Sequence, residues 1–304
     1  MASNLPRGRC RLALLVLALQ AAAAPALPLW ELTGTSNRIT LLGSIHFLRA
    51  ADYPLAPAIR SALDQADIVL MEIDMDDLDP AASTATVATL ARDGKGRTLP
   101  ELLGPRAWKA ASAEARGLGL DLEPMAPFEP WYAAVMVTQL RLAQLGFDPS
   151  LGVESRMTAD AQRLGKEIRG LETLESQLGT LDSLSADAQR EFLQSTLEEA
   201  GEIGDMADDM IAAWKSGDVR ALDADMLDSV REQPEVYRAL IVRRNEHFAE
   251  AIGRLVDGNR DYLIVIGTLH LVGPDSVLKV LERAGIHSRQ IGGGPAQDRQ
   301  PGSD

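Results

Sequence analysis

Ile39-Thr40-Leu41-Leu42-Gly43-Ser44-Ile45-His46 is the stretch that decides the fold. Four apolar or β-branched residues form a short run of buried-strand character. Gly43 ends it, and a hydroxyl, an apolar residue and a histidine follow. The same order returns near the other end of the chain as Leu263-Ile264-Val265-Ile266-Gly267-Thr268-Leu269-His270. The chain has only four histidines, and two of them stand in this one setting.

Upstream, Leu29-Trp30-Glu31-Leu32 and the turn residues Gly34-Thr35-Ser36-Asn37 predict a hairpin with the first run. Downstream, residues 53–67 carry Leu55, Ile59, Leu63 and Ala66 at helical spacing, and Ile68-Val69-Leu70-Met71 is a second buried-strand run. Strand, helix, strand predicts an α/β sheet with a right-handed crossover. Residues 81–165 read as mainly helical, with Pro124, Pro127 and Pro130 marking a break. Residues 166–171 suit another short strand. Ser185 predicts the cap of a helical stretch reaching about residue 256, broken near Gly201, Gly217 and Pro234. Residues 262–266 form the clearest buried strand, and a helix over 274–284 follows, with Pro274 in its first turn.

The chain is 46% apolar, enough for a globular core, and its formal charge is −14. An acidic chain repels phosphate backbones, and aromatics supply only 4% of residues, so nucleic-acid binding is excluded as a reading. Arg7, Arg9 and Arg11 precede an almost wholly apolar run at 12–19, an alanine run, and Ala24-Pro25-Ala26. This order predicts a secretory signal peptide over 1–26, cut after Ala26, and a periplasmic or secreted protein. The run is shorter than the about 20 apolar residues a membrane helix needs, so no stable span is expected after cleavage. Cys10, the only cysteine, would leave with the leader, which removes disulfides and thiolate metal ligands from the mature chain. Losing three arginines and no acid would take the charge from −14 to −17. The folded domain is expected over 27–291, followed by a disordered tail over 292–304.

Ligand sites in open α/β sheets form beyond the carboxyl ends of the strands. His46 and His270 each follow a strand and a glycine, and Glu72 follows Met71 at the end of another strand. Two imidazoles and a carboxylate on one rim suit a divalent metal with open positions; Mn, Co, Zn and Fe are all compatible. Such a metal acidifies water and polarises a carbonyl. The bland alternative is that each histidine is a structural hydrogen-bonder and that Glu72 only marks where the strand leaves the core. Asp74, Asp76, Asp77 and Asp79 read as a solvated acidic loop, and His247 and His287 as structural. H-E-x-x-H, G-x-S-x-G and Walker A motifs are missing.

Gly43-Ser44-Ile45-His46 and Gly267-Thr268-Leu269-His270, the latter continuing into Leu271-Val272-Gly273-Pro274-Asp275, resemble the paired Gly-x-x-His motifs of the TraB/PrgY/GumN family. Gly152-Val153-Glu154, Gly165-Lys166-Glu167-Ile168, Leu171-Glu172-Thr173-Leu174-Glu175-Ser176-Gln177-Leu178 and Arg243-Arg244-Asn245 resemble further segments of its GumN branch. The resemblance implies an α/β domain whose mixed sheet is assembled from both ends of the chain, with a large helical insertion at about 81–258. It also implies kinship with the Tiki proteins, which look like Mn- or Co-activated metalloproteases, and more distantly with erythromycin-esterase-like and haem-linked ChaN-like proteins.

The expectation is therefore an exported metal-dependent hydrolase acting on a peptide or small ester. His46 and His270 would bind the metal, and Glu72 would be a ligand or the general base. Glu154 and Glu172 would each be a further ligand or a general base, or else, with Arg243 or Asn245, would orient the ligands or stabilise the transition state. The alternatives are an exported protein that binds metal, haem or a polysaccharide-related ligand without turnover, and a partner-regulating protein that uses its acidic helices.

Overall fold

The computed structural model describes residues 27–292. The expected leader, 1–26, lies outside the described residues, as does the expected tail beyond Gly292. The strands are β1 (Leu29–Thr33), β2 (Ile39–Ser44), β3 (Ile68–Ile73), β4 (Glu167–Glu172), β5 (Tyr262–Gly267) and β6 (His287–Gln290). The helices among the described residues are α1 (Pro57–Gln65), α2 (Pro80–Leu90), α3 (Leu99–Leu103), α4 (Pro105–Gly117), α5 (Pro130–Gln144), α6 (Val153–Arg163), α7 (Leu174–Asp182), α8 (Ala186–Glu199), α9 (Ile203–Ser216), α10 (Val219–Arg231), α11 (Pro234–Tyr237), α12 (Arg243–Gly253) and α13 (Val277–Arg283).

The six strands form one mixed sheet in the order β4-β3-β5-β2-β1-β6. β5 pairs in parallel with both β2 and β3, so the strand from the far end of the chain lies between the two N-terminal ones. β3 and β4 are also parallel, whereas β1 is antiparallel to β2 and β6. The sheet is thus built from both ends of the chain. Its central strands are apolar on both faces because both are covered. Leu42, Val69, Met71, Leu263 and Val265 pack on one face against Ile59 and Leu63 of α1, Met157 of α6 and Ile211 and Trp214 of α9. Their neighbours Leu41, Ile68, Leu70, Ile264 and Ile266 pack on the other, against Phe248 and Ile252 of α12 and Val277 and Leu281 of α13. The helical insertion has a core of its own, with Leu99, Leu122, Val137, Leu193 and Leu197 at its centre.

Two local expectations are corrected. The helix expected from Pro274 begins at Val277, because the Ser276 hydroxyl accepts from Lys279 N and caps the helix there. Glu72 lies inside β3, one residue before its end, on the face shared by Ile68 and Leu70. No helix among the described residues is long and apolar enough to cross a membrane.

Candidate active site at the strand carboxyl ends

β2, β3, β4 and β5 run in the same direction, so their carboxyl ends share one rim. The two Gly-x-x-His motifs meet there one residue out of step: Ser44, not Gly43, pairs with Gly267. The histidines are consequently not equivalent. The His46 side chain is 62% exposed, whereas His270, on a 3-10 turn after β5, is buried at 5%.

Each imidazole is held through Nδ1. His46 Nδ1 lies 2.7 Å from Glu154 Oε1, and the same carboxylate accepts from the Ser44 hydroxyl. Glu154 is brought there by the start of α6, where Val153 N donates to Ile45 O at 2.9 Å. Gly152 makes that contact possible, since a Cβ there would stand 2.3 Å from the His46 carbonyl oxygen. On the other side, His270 Nδ1–H donates to Asn245 Oδ1 at 2.6 Å, and Asn245 Nδ2 donates to the Asp275 carbonyl at 2.7 Å. Asn245 is fully buried. Both rings are therefore fixed with Nε2 left for another partner.

Glu72 lies between them. Its Oε1 accepts from Gly267 N at 2.6 Å and stands 3.9 Å from His270 Nε2, beyond hydrogen-bond reach. A methyl group on Gly267 would come within 3.1 Å of Glu72 Oε1, 3.5 Å of His270 Cδ2 and 3.8 Å of His46 Nε2, so all three side chains border one point. Arg244 joins the cluster from α12. Its guanidinium donates to Glu72 Oε2 at 2.5 Å, to His270 Nε2 at 3.0 Å and, through Nε, to Glu172 Oε1 at 3.1 Å. Gln177 Nε2 bridges Glu72 at 3.1 Å and Glu172 at 3.0 Å.

These surroundings set the charges. The facing Glu154 carboxylate raises His46 to about 9. With most of its side chain in solvent, that pair is screened and adds little to stability. Burial lowers His270 to about 4, which keeps it neutral at pH 7 with its lone pair on Nε2. Burial also opposes ionisation of Glu72, but His270, Arg244, His46 and the Gly267 N–H outweigh it and hold the carboxyl at about 2.

The structure brings together His46, Glu72, Glu154, Glu172, Asn245 and His270, all expected from the sequence. Arg243 is not among them: it is exposed, and Arg244 takes the place expected for it. A π-type turn over Arg238–Val242 leads directly into α12 and sets its phase. Arg244, Phe248 and Ile252, four residues apart, then face inward, and the guanidinium lies 5.3 Å over the Phe248 ring. That apolar i, i+4, i+8 stripe was the available signal for Arg244. Gln177 was the other residue missed. His247 is exposed and reaches the Leu171 carbonyl at 3.1 Å, and His287 lies exposed on β6. A groove of about 670 Å³ between α4 and α8, bordered by Leu103, Ala107, Glu114, Arg190 and Leu197, lies away from this cluster and has no histidine in its lining.

The TraB/PrgY/gumN family model matches residues 28–290, nearly the whole described chain. This chain belongs to the TraB/PrgY/gumN family. Within the family it is similar to metalloprotease TIKI2 of Danio rerio, at 24% identity over 81% of this chain. That match spans 57% of the relative's own length, so the chain covers little more than half of it. It is also similar to the uncharacterized protein YbaP of Escherichia coli and that of Shigella flexneri, each at 22% identity over 84% of this chain and 92% of the relative. No solved structure matches.

The residues gathered at the rim can be tested against a divalent metal. Two imidazoles are pinned at Nδ1, as metal-binding histidines are when a carboxylate or carbonyl orients them, and Arg244 already holds the Nε2 of His270. Glu154 Oε2 is buried without a hydrogen-bond partner, and two carboxylates, Glu72 and Glu172, crowd around one guanidinium. Donor chemistry and ring orientation thus fit a divalent cation. Among the described residues, however, no three such side chains stand at metal-ligand geometry, and Arg244 holds both Glu72 and His270.

Proposed function

We propose that this chain is an exported, divalent-metal-dependent hydrolase that cleaves peptide bonds. The observation that carries this reading is the pinning of His46 by Glu154 and of His270 by Asn245, with His46 Nε2, the edge of the His270 ring and Glu72 gathered around Gly267. His46 and His270 would hold the cation through Nε2, with Glu72 as third ligand or as the base that takes a proton from water. When bound, the cation supplies Lewis-acid chemistry, polarising a carbonyl and acidifying water. Glu154 and Asn245 keep each ring in its productive orientation. His46, at the exposed side, meets the substrate first, while buried His270 excludes water from the inner side. Arg244 and Gln177 supply N–H donors beside the carboxylates, where negative charge builds on a carbonyl oxygen under attack. The distant likeness to a metalloprotease supports a peptide bond as the target.

The test is metal content by mass spectrometry and Mn, Co and Zn affinity by calorimetry, on the purified protein and on His46→Ala and His270→Ala. Stoichiometric binding lost in both variants, together with cleavage of a peptide library lost with it, is the expected result. Binding without cleavage of any peptide or ester would leave a metal-holding protein without turnover. Absence of binding would end the metal reading. Export is tested separately: the N-terminal residue of the protein recovered from the periplasm should be Leu27.

A further inference from the structure

Resting on that reading, we infer that Arg244 is an internal cation that holds the ligand atoms of Glu72 and His270 and must be displaced for a metal to bind them. Lone pairs set the conflict. The Nδ1–H of His270 is committed to Asn245, so Nε2 is the only atom through which the ring can ligate a metal. That lone pair accepts from Arg244 Nη1 at 3.0 Å. Glu72 Oε1 accepts from Gly267 N and its Oε2 from Arg244 Nη2. The guanidinium therefore holds one atom on each of two proposed ligands, and guanidinium and metal exclude each other at His270.

Burial explains why a cation is needed when the metal is absent. The side chains of Glu72, Glu172 and Arg244 are 8%, 4% and 11% exposed. Two buried carboxylates joined through Gln177 are costly without a positive partner. Arg244 also has a retreat. Its Nε and Nη2 are held by Glu172, which is outside the proposed ligand set, so the side chain can pivot on Glu172 while releasing Glu72 and His270. The exchange weakens metal affinity relative to an open site. It also keeps the empty site folded, and it makes occupancy depend on how much metal surrounds the protein.

The experiment measures Mn²⁺ affinity by calorimetry and thermal unfolding with and without chelator, for the full protein and for Arg244→Gln. The variant should bind Mn²⁺ about tenfold or more tightly than the wild type, the scale of coupling between two mutually exclusive partners. Metal-free Arg244→Gln should melt below metal-free wild type, and saturating Mn²⁺ should close the gap. Mn²⁺ binding by the variant alone would support the exchange as well. Equal or weaker binding by the variant, with the wild type binding normally, overturns the exchange and leaves the metal reading standing. Binding by neither protein ends both. Side-chain NMR of the wild type covers the case of a variant that does not fold. The Arg244 guanidinium N–H signals, slowed by bonds to Glu72 and His270, should shift and exchange with water when Zn²⁺ binds. Signals unchanged with Zn²⁺ bound would overturn the exchange.

Discussion

His46 Nδ1 and Glu154 Oε1 lie 2.7 Å apart, and that carboxylate also accepts from the Ser44 hydroxyl. One acid at the start of α6 thus ties the last residue of β2 to the histidine two residues beyond it. The relationship predicts that Glu154→Gln will return the His46 pKa from about 9 toward its ordinary 6.5, because the facing charge is its largest cause. An NMR titration of the His46 ring measures this directly. Unfolding temperature should change little, since His46 is mostly in solvent. A His46 pKa that stays near 9 would show that Glu154 is not its governing partner.

Asn245 should matter more to stability than to local charge. Replacing it by Ala leaves two groups unmatched, the buried His270 Nδ1–H and the part-buried Asp275 carbonyl. Each such group costs about 1–3 kcal/mol, so Asn245→Ala should be among the more destabilising single changes in α12. Asn245→Asp keeps the shape and adds a charge beside the ring, so it should raise the His270 pKa from about 4. Denaturant unfolding and a His270 titration separate the two effects. A neutral effect of Asn245→Ala on stability would sink the account.

The pH dependence of stability follows from the two depressed groups. His270 has a folded pKa of about 4 against an ordinary 6.5, so between those values the unfolded chain binds the extra proton. Stability is then present above 6.5 and lost as pH falls toward about 4. Glu72, at about 2 against 4.5, extends the loss to lower pH. His46 has the opposite sign: its contribution is present below 6.5 and lost as pH rises through about 9, but solvent screening keeps it small. Metal-free protein should therefore lose on the order of 3 kcal/mol between neutral pH and pH 4 through His270 alone. Calorimetric melting across that range, in chelator, tests it; a flat melting temperature would contradict a buried, neutral His270.

The parts legible in the sequence were those written in local pattern. The runs at 39–42, 68–71 and 262–266 read as buried strands because both faces of the sheet are covered, and each supplies both cores. Parallel strands then carry His46, Glu72 and His270 to one rim without further information. Register could not be read. The two Gly-x-x-His motifs look identical along the chain, yet Ser44 pairs with Gly267, and one histidine is exposed while the other is buried. Helix phase was equally hidden. Arg243 and Arg244 are neighbours in sequence, and only the π-type turn ahead of α12 and the stripe through Phe248 and Ile252 decide which one faces the carboxylates. The start of α13 turned on a competition between Pro274 and Ser276, which the Ser276 cap wins.

Two glycines at the rim should fail in different ways when given a methyl group. Gly267 has φ −51° and ψ 135°, a conformation open to alanine, so strain is no obstacle. The new Cβ would instead press on Glu72 Oε1 at 3.1 Å and narrow the point bordered by His46 and His270. Gly267→Ala should fold nearly normally and lose metal affinity and any hydrolase activity together. Gly152→Ala meets backbone rather than a movable side chain, with its Cβ 2.3 Å from His46 O and 2.8 Å from His46 C. The main chain must shift there, at a cost of about 1–3 kcal/mol or more, and the shift moves Glu154 away from His46. Paired measurements of unfolding and Mn²⁺ binding on both variants distinguish the cases. Gly267→Ala with undiminished binding would place the metal somewhere other than between the two histidines.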